Sequence, residues 1–261
     1  MVSKVTRDEN AQALKALDGF FAGNPKAALA LSGGADSSLL LHAAIKAGCD
    51  VKPYFVKSQF QPRFELDDAR RLCGELGVAL SVIEADILKD KTVAANTPDR
   101  CYRCKKRIFG LIKKAAAADG YALVIDGTNA SDDENDRPGM AALRELKVRS
   151  PLLECGITKA QVRHISRARG LFTADKPSYA CLATRVPAGR PITEQILGRI
   201  ERAENSLSAM GFFDFRVRVI GDAARLQLPE AQLEAALHQR ERIKEALAAE
   251  FSSVLLDLES R

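Results

Sequence analysis

The stretch Ala27–Leu40, AALALSGGADSSLL, leaves this chain few folds to choose from. Ala27–Leu31 is a short apolar run of the kind that forms a strand buried in a parallel sheet. It gives way to Ser32-Gly33-Gly34-Ala35-Asp36-Ser37-Ser38, and Leu39, Leu40 and Ala43 then set an apolar helical pattern. Two glycines let the backbone bend sharply and come close to a ligand. Ser32, Ser37 and Ser38 add hydroxyl donors, and the loop N–H groups with the helix N-terminus make an anion cradle. A strand, a small polar turn and a helix in this order predict a phosphate site. It is not the G-x-x-x-x-G-K-[ST] loop, which needs a lysine that is missing here, nor G-x-G-x-x-G.

The rest of the chain supports an α/β reading. With 261 residues it can hold one large domain, or one domain and a smaller one. Asp8–Phe21 carries Leu14, Leu17, Phe20 and Phe21 at helical spacing. After the loop, Ser37–Ala47 is expected to be helix closed by Gly48, Val51–Val56 a strand, Glu65–Leu76 a helix capped by Gly77, and Val78–Ile83 a third strand. Lys89–Arg107 is polar, contains Pro98 and reads as a loop; Lys105–Ala118 then runs as a basic-faced helix. Ala122–Ile125 is a buried strand with Asp126-Gly127-Thr128-Asn129 at its carboxyl end, followed by the acidic loop Ser131–Pro138. Leu152–Leu153 is a weak strand candidate, and Thr158 is placed to cap a helix reaching Ala168 before Gly170.

Alternation of strands and helices predicts a doubly wound parallel sheet, with ligands outside the carboxyl ends of its strands. The character changes at the Pro187–Pro191 linker, so residues 1–188 and 189–261 are expected to be separate domains. In the second, Thr193–Met210 is a long helix, Phe215–Val219 and Ala224–Leu228 form a hairpin, Gln232–Ala249 is helical and Ser253–Leu258 is a last strand. That is a small α+β module.

Net charge is +5, which suits phosphate-bearing ligands and argues little for nucleic acid by itself. No apolar run is long enough to span a bilayer, and Met1–Ala22 has no signal-peptide core, so no membrane association and a cytoplasmic location are expected. Of the 6 cysteines, Cys73 falls on the inner face of a helix and Cys49 sits incidentally in a turn. Cys101 and Cys104 form a C-x-x-C, with Cys181 distant in PSYACLATR between small residues. The C-x-x-C admits a redox pair, part of a zinc site or part of an Fe–S site. Zinc normally takes four ligands, and no second C-x-x-C or nearby histidine supplies them. Three thiolates would leave one iron of a 4Fe–4S cluster open. Lys176 and Arg185 near Cys181 favour its thiolate. Asp36 is unusual in an anion site: either a Mg²⁺ bridges it to phosphate or it caps the helix. Asp126 and Asn129 are expected to meet the nucleotide.

SGGADSS at Ser32–Ser38 matches the SGGxDS signature of the PP-loop, or N-type, ATP pyrophosphatases. With TPDRCYRCKKRIF (Thr97–Phe109), DGTNASDDENDRPGMAALRE (Asp126–Glu145), VRSPLLECGITKAQVR (Val148–Arg163), KPSYACLATR (Lys176–Arg185) and RVRVIGDAARLQL (Arg216–Leu228), the chain resembles LarE-type ATP-dependent sulfur transferases along nearly its whole length. The resemblance implies cleavage of ATP to AMP and pyrophosphate, with Ser32, Gly33, Gly34, Ser37 and Ser38 on the phosphates. It implies adenylation of a carboxylate of a pyridinium mononucleotide and replacement of oxygen by sulfur, toward the nickel-pincer cofactor of lactate racemase. The cysteine matching Cys181 either gives up its own sulfur or joins Cys101 and Cys104 in holding a 4Fe–4S cluster; all three thiols are present, which favours the cluster. Arg216 and Arg218 match a pair expected on the substrate phosphate, and Arg185 belongs to the same set. A homo-oligomer is also implied. One departure is Gln227, where the pattern leads one to expect an acidic residue; Glu201 and Glu204 are not told apart. Other readings are a PP-loop tRNA thiolase, which needs a broad basic RNA surface, an amide-forming adenylating synthetase with idle cysteines, and a non-enzymatic ATP-binding module.

Overall fold

The computed structural model describes residues 6–132 and 138–261. Most of the acidic loop expected at Ser131–Pro138 lies outside the described residues. In chain order the elements are α1 (Arg7–Ala22), β1 (Lys26–Ala30), α2 (Ala35–Lys46), β2 (Asp50–Lys57), α3 (Arg63–Glu75), β3 (Ser81–Glu84), α4 (Lys91–Ala94), α5 (Arg100–Ala118) and β4 (Val124–Ile125). There follow α6 (Pro138–Glu145), α7 (Pro151–Glu154), α8 (Lys159–Ala168), α9 (Glu194–Ala209), β5 (Arg216–Ile220), β6 (Ala223–Gln227), α10 (Leu233–His238), α11 (Arg240–Leu247) and β7 (Ser253–Leu256). No helix among the described residues is long and apolar enough to cross a membrane.

The chain forms two compact units, one from the residues up to Lys57 with Arg63–Ala85 and Cys101–Lys176, the other from Ser58–Pro62, Asp86–Arg100 and Pro177–Arg261. The first holds a wholly parallel sheet in the order β3-β2-β1-β4. Strand alternation divides its core in two. Leu29, Phe55 and Ile125 pack with Leu17, Phe21, Leu39, Leu40, Val162 and Ile165 from α1, α2 and α8. Ala28, Tyr54, Val56 and Val124 pack with Phe109, Ile112, Met140 and Leu143 from α5 and α6. Each fully buried leucine contributes about 2 kcal/mol through the water it leaves. Thr6 and Glu9 close a capping box on α1; Thr158 caps α8, as the sequence predicts, and Gln161 completes a capping box with it.

Four local expectations are corrected. The C-x-x-C does not lie in a loop: α5 begins at Arg100, so Cys101 and Cys104 occupy its first turns. Pro98 is tolerated just ahead of a helix, and the face that buries Phe109, Ile112 and Ala116 carries the helix back to that point. Leu152–Leu153 is helix α7, with Pro151 in its first turn; Arg149 instead makes a parallel bridge to Ile125. The third strand and the helix at Gln232–Ala249 are also shorter than expected, the latter breaking at Gln239 into α10 and α11.

In the second unit β5 and β6 form the expected hairpin, and β7 pairs parallel to β6. Ile196, Ile200, Ala203 and Leu207 of α9 are buried, as are Val217 and Val219 of β5. The segment Asp86–Arg100 is tied in by Asn96, whose Nδ2 donates to the carbonyls of Pro187 at 2.8 Å and Arg190 at 3.0 Å. Ile192 N donates to Ala94 O at 2.7 Å, and Arg100 Nη1 to Ala183 O at 3.0 Å.

Candidate active site

β1 ends at Ala30, and the chain bends through Ser32–Gly34 into α2. Gly33 takes φ +74, and a Cβ there would lie 2.7 Å from Glu65 O. Only glycine accepts both conditions. Ser37 Oγ accepts from Ser32 N at 3.2 Å and donates to Gly34 O at 3.2 Å; it also lies 3.1 Å from Ser32 Oγ. Ser38 Oγ donates to Gly34 O at 2.8 Å. The hydroxyls therefore hold the bend in shape, while the first N–H groups of α2 have no acceptor within the helix.

The carboxyl end of β4 approaches the same bend. Gly127 lies so close that a Cβ on it would be 2.8 Å from Ser37 N. Asn129 Nδ2 donates to Asp36 Oδ1 at 3.1 Å, and Lys159 Nζ, at the start of α8, pairs with Asp36 Oδ2. Asp126 is buried and accepts from Thr128 Oγ1 and Ser150 Oγ, both at 2.6 Å. Its carboxylate thus shapes the turn that carries Asn129. Lys176 Nζ donates to Gly33 O at 3.0 Å and pairs with Asp68 of α3. Two ammonium groups, Lys159 and Lys176, are anchored at the Ser32–Ser38 bend. Sequence reasoning missed Lys159; its signal was the capping residue Thr158 directly before it, which sets the lysine in a helix's first turn.

Cys101 is exposed and Cys104 half-buried, three residues apart on α5 and so on one side of it. Cys181 is half-buried and precedes a short 3₁₀ turn, Leu182–Arg185. Cys73 is buried as expected, and burial pushes its thiol up to about 11. Cys49 is buried too and gives its Sγ to Asn24 O at 3.4 Å. Among the described residues no three His, Cys, Asp or Glu side chains gather as a metal site.

The second unit concentrates arginines. Arg185 is fully buried; it grips Glu204 through Nε at 2.8 Å and Nη2 at 3.2 Å, and its Nη1 donates to Ala180 O at 2.7 Å. Glu204 also accepts from Val217 N at 3.0 Å and from the Tyr179 hydroxyl. That distinguishes it from Glu201, which the sequence could not do. Arg216 is buried, donates to Phe215 O and Ser178 O, both at 2.7 Å, and stacks its cation 5.3 Å from the Tyr179 ring. Burial, with Arg185 and Arg261 nearby, brings it down to about 10, so it is still a cation at neutral pH. Arg218 donates to Gln227 Oε1 and, at 2.8 Å, to Thr184 O. Burial and the neighbouring Arg185 lower it as well.

A parallel sheet whose first strand runs through a Ser-Gly-Gly-x-Asp-Ser bend into a helix, with lysines anchored beside it, defines an ATP-using enzyme of the PP-loop class. No family model matches the chain. It is 34% identical over 233 residues to pyridinium-3,5-bisthiocarboxylic acid mononucleotide synthase of Lactiplantibacillus plantarum, covering 88% of this chain and 84% of that protein. It is 37% identical over 223 residues to an uncharacterised protein of Synechocystis, covering 85% and 83%. Similarity to a tRNA-specific 2-thiouridylase of Fervidobacterium nodosum, 27% over 187 residues, spans 58% of this chain and 54% of that one. The chain belongs to the LarE-type family of ATP-dependent sulfur transferases within the PP-loop superfamily.

Proposed function

We propose that this protein uses ATP to adenylate a carboxylate of a pyridinium mononucleotide and then exchanges oxygen for sulfur, giving a thiocarboxylate. The observation that carries this reading is the bend at Ser32–Ser38, with Lys159 and Lys176 held beside it. It supplies backbone N–H groups and two cations where a polyphosphate would lie, in a chain of the sulfur-transferring family. The substrate carboxylate oxygen attacks the α-phosphorus, the bond to the bridging oxygen breaks, and pyrophosphate leaves into the loop. A carboxylate is a poor electrophile, whereas the acyl-adenylate carries a good leaving group. A sulfur nucleophile then attacks the acyl carbon, and AMP departs with the bonding electrons.

Ser32, Gly33, Gly34, Ser37 and Ser38 bind the pyrophosphate; Asn129 orients Asp36, and Asp126 holds the turn that presents Asn129. Asp36 would hold Mg²⁺. Its oxygen donors fit a hard cation, and Lys159, now paired with it, would then be released to phosphate. The ion would neutralise charge as the α–β bond breaks. Arg216 and Arg218 take the substrate phosphate, and Arg185 with Glu204 sets the framework around them.

Cys101, Cys104 and Cys181 are proposed as ligands of a 4Fe–4S cluster. The donor set suits it: thiolates are the ligands such clusters take, and Cys101 and Cys104 stand three residues apart on α5. When bound, a cluster with three protein ligands offers one iron to an exogenous sulfide. The product then belongs to the nickel-pincer nucleotide of lactate racemase, made by a cytoplasmic homo-oligomer.

Protein purified without oxygen should be brown and contain iron, and should turn ATP and a nicotinate-derived mononucleotide into AMP and pyrophosphate. ADP and phosphate would overturn the adenylation. A colourless, iron-free protein whose Cys181 loses the mass of H₂S on turnover would replace the cluster with a sacrificial cysteine. A tRNA band shift would move the substrate to RNA.

A further inference from the structure

Arg218, Gln227 and Asp257 form a directional relay on the β5–β6–β7 sheet. Arg218 Nε donates to Gln227 Oε1, and Gln227 Nε2 donates to Asp257 Oδ2 at 2.9 Å. Arg218 Nη1 donates to Thr184 O at 2.8 Å, which leaves Nη2 as the nitrogen to meet a ligand. Asp257 also faces Arg225 Nε at 3.4 Å, so its charge already has a cationic partner.

This arrangement differs from that of Arg185. There a carboxylate, Glu204, takes two guanidinium nitrogens and neutralises the charge. Arg218 is held instead by a neutral amide and a backbone carbonyl. The amide alone can accept from the arginine and donate to the aspartate. A carboxylate at 227 would pair with Arg218 and set two negative groups against each other at Asp257.

Resting on the reading of Arg218 as a phosphate ligand, we propose that Gln227, anchored by Asp257, is a positioning residue that orients Arg218 while leaving its charge for the substrate phosphate. The phosphate, not a protein carboxylate, is then the counter-ion of this arginine.

The test uses the full-length protein, with nicotinic acid mononucleotide as the probe and its nucleoside, which lacks phosphate, as the control, both titrated calorimetrically. Gln227→Glu should weaken mononucleotide binding about tenfold, the scale of one charge-assisted contact. It should leave nucleoside binding and kcat within a factor of about two, so the change falls on KM. The Gln227→Glu/Asp257→Asn pair restores a donor to the anchor and keeps the relay's shape if the single variant folds poorly. It should show the same loss of mononucleotide binding, because Arg218 is still neutralised. If that double variant, folded, binds the mononucleotide as tightly as the unaltered protein, the proposal falls while the phosphate reading stands. If Arg218→Ala itself leaves mononucleotide binding unchanged, the phosphate reading falls, and this proposal with it.

Discussion

Lys159 Nζ pairs with the carboxylate of Asp36, 123 positions earlier in the chain. The pair joins the first turn of α8 to the first turn of α2. It places a lysine beside the Ser32–Ser38 bend, which has no lysine of its own.

Lys159→Ala should therefore damage ATP chemistry far more than folding. Both partners are partly exposed, so the ion pair stabilises the fold by about 1 kcal/mol or less. Removing one preorganised cation from a phosphate site should lower kcat/KM for ATP about a hundredfold. Pyrophosphate release and a thermal melt, run on the same sample, separate the two effects. An equal loss in both would refute the assignment.

Gly127→Ala tests the close approach of two loops. The new Cβ would sit 2.8 Å from Ser37 N, where only a backbone shift makes room. Overpacking of this kind costs about 1–3 kcal/mol. ATP binding, followed by calorimetry, should be lost well below the melting temperature, because the displaced atoms belong to the bend itself.

Glu204→Gln leaves the buried guanidinium of Arg185 without its counter-charge. A loss of about 3 kcal/mol is expected from a broken buried pair, or a Tm lower by about 6–12 °C for a chain of this size. Differential scanning calorimetry reads it directly. A melting curve that does not move would mean that Arg185 finds another partner.

Cys73 gives stability a component that depends on pH. Burial raises its thiol from the ordinary 9.0 to about 11, so the folded state favours the protonated form. The contribution is complete below about pH 9 and is lost as pH rises toward 11. Urea unfolding between those limits should fall less steeply in Cys73→Ala. At pH 8, iodoacetamide should reach exposed Cys101 well before Cys73 or Cys49, as peptide mass mapping would show.

What could be read along the chain was whatever neighbouring residues decide among themselves. The apolar run, the Ser-Gly-Gly bend and the helix after it are contiguous, so the strand–bend–helix unit was legible. The cap at Thr158 and the β5–β6 hairpin were legible for the same reason. Sequence pattern failed where local signals conflicted: Pro98 and a polar context hid the helical placement of Cys101 and Cys104.

The amino-acid order alone pointed to the class of sheet and to the Ser-Gly-Gly bend between β1 and α2. Only the folded chain decided which groups surround that bend, since Asp36 meets Lys159 and Gly33 meets Lys176 across more than a hundred positions. It likewise decided that Asp86–Arg100 joins the C-terminal unit, through the amide of Asn96, and that Arg218 donates to Gln227. Helix and turn propensities act over a few residues, whereas these pairings depend on how buried faces pack, and no short stretch of sequence contains that information.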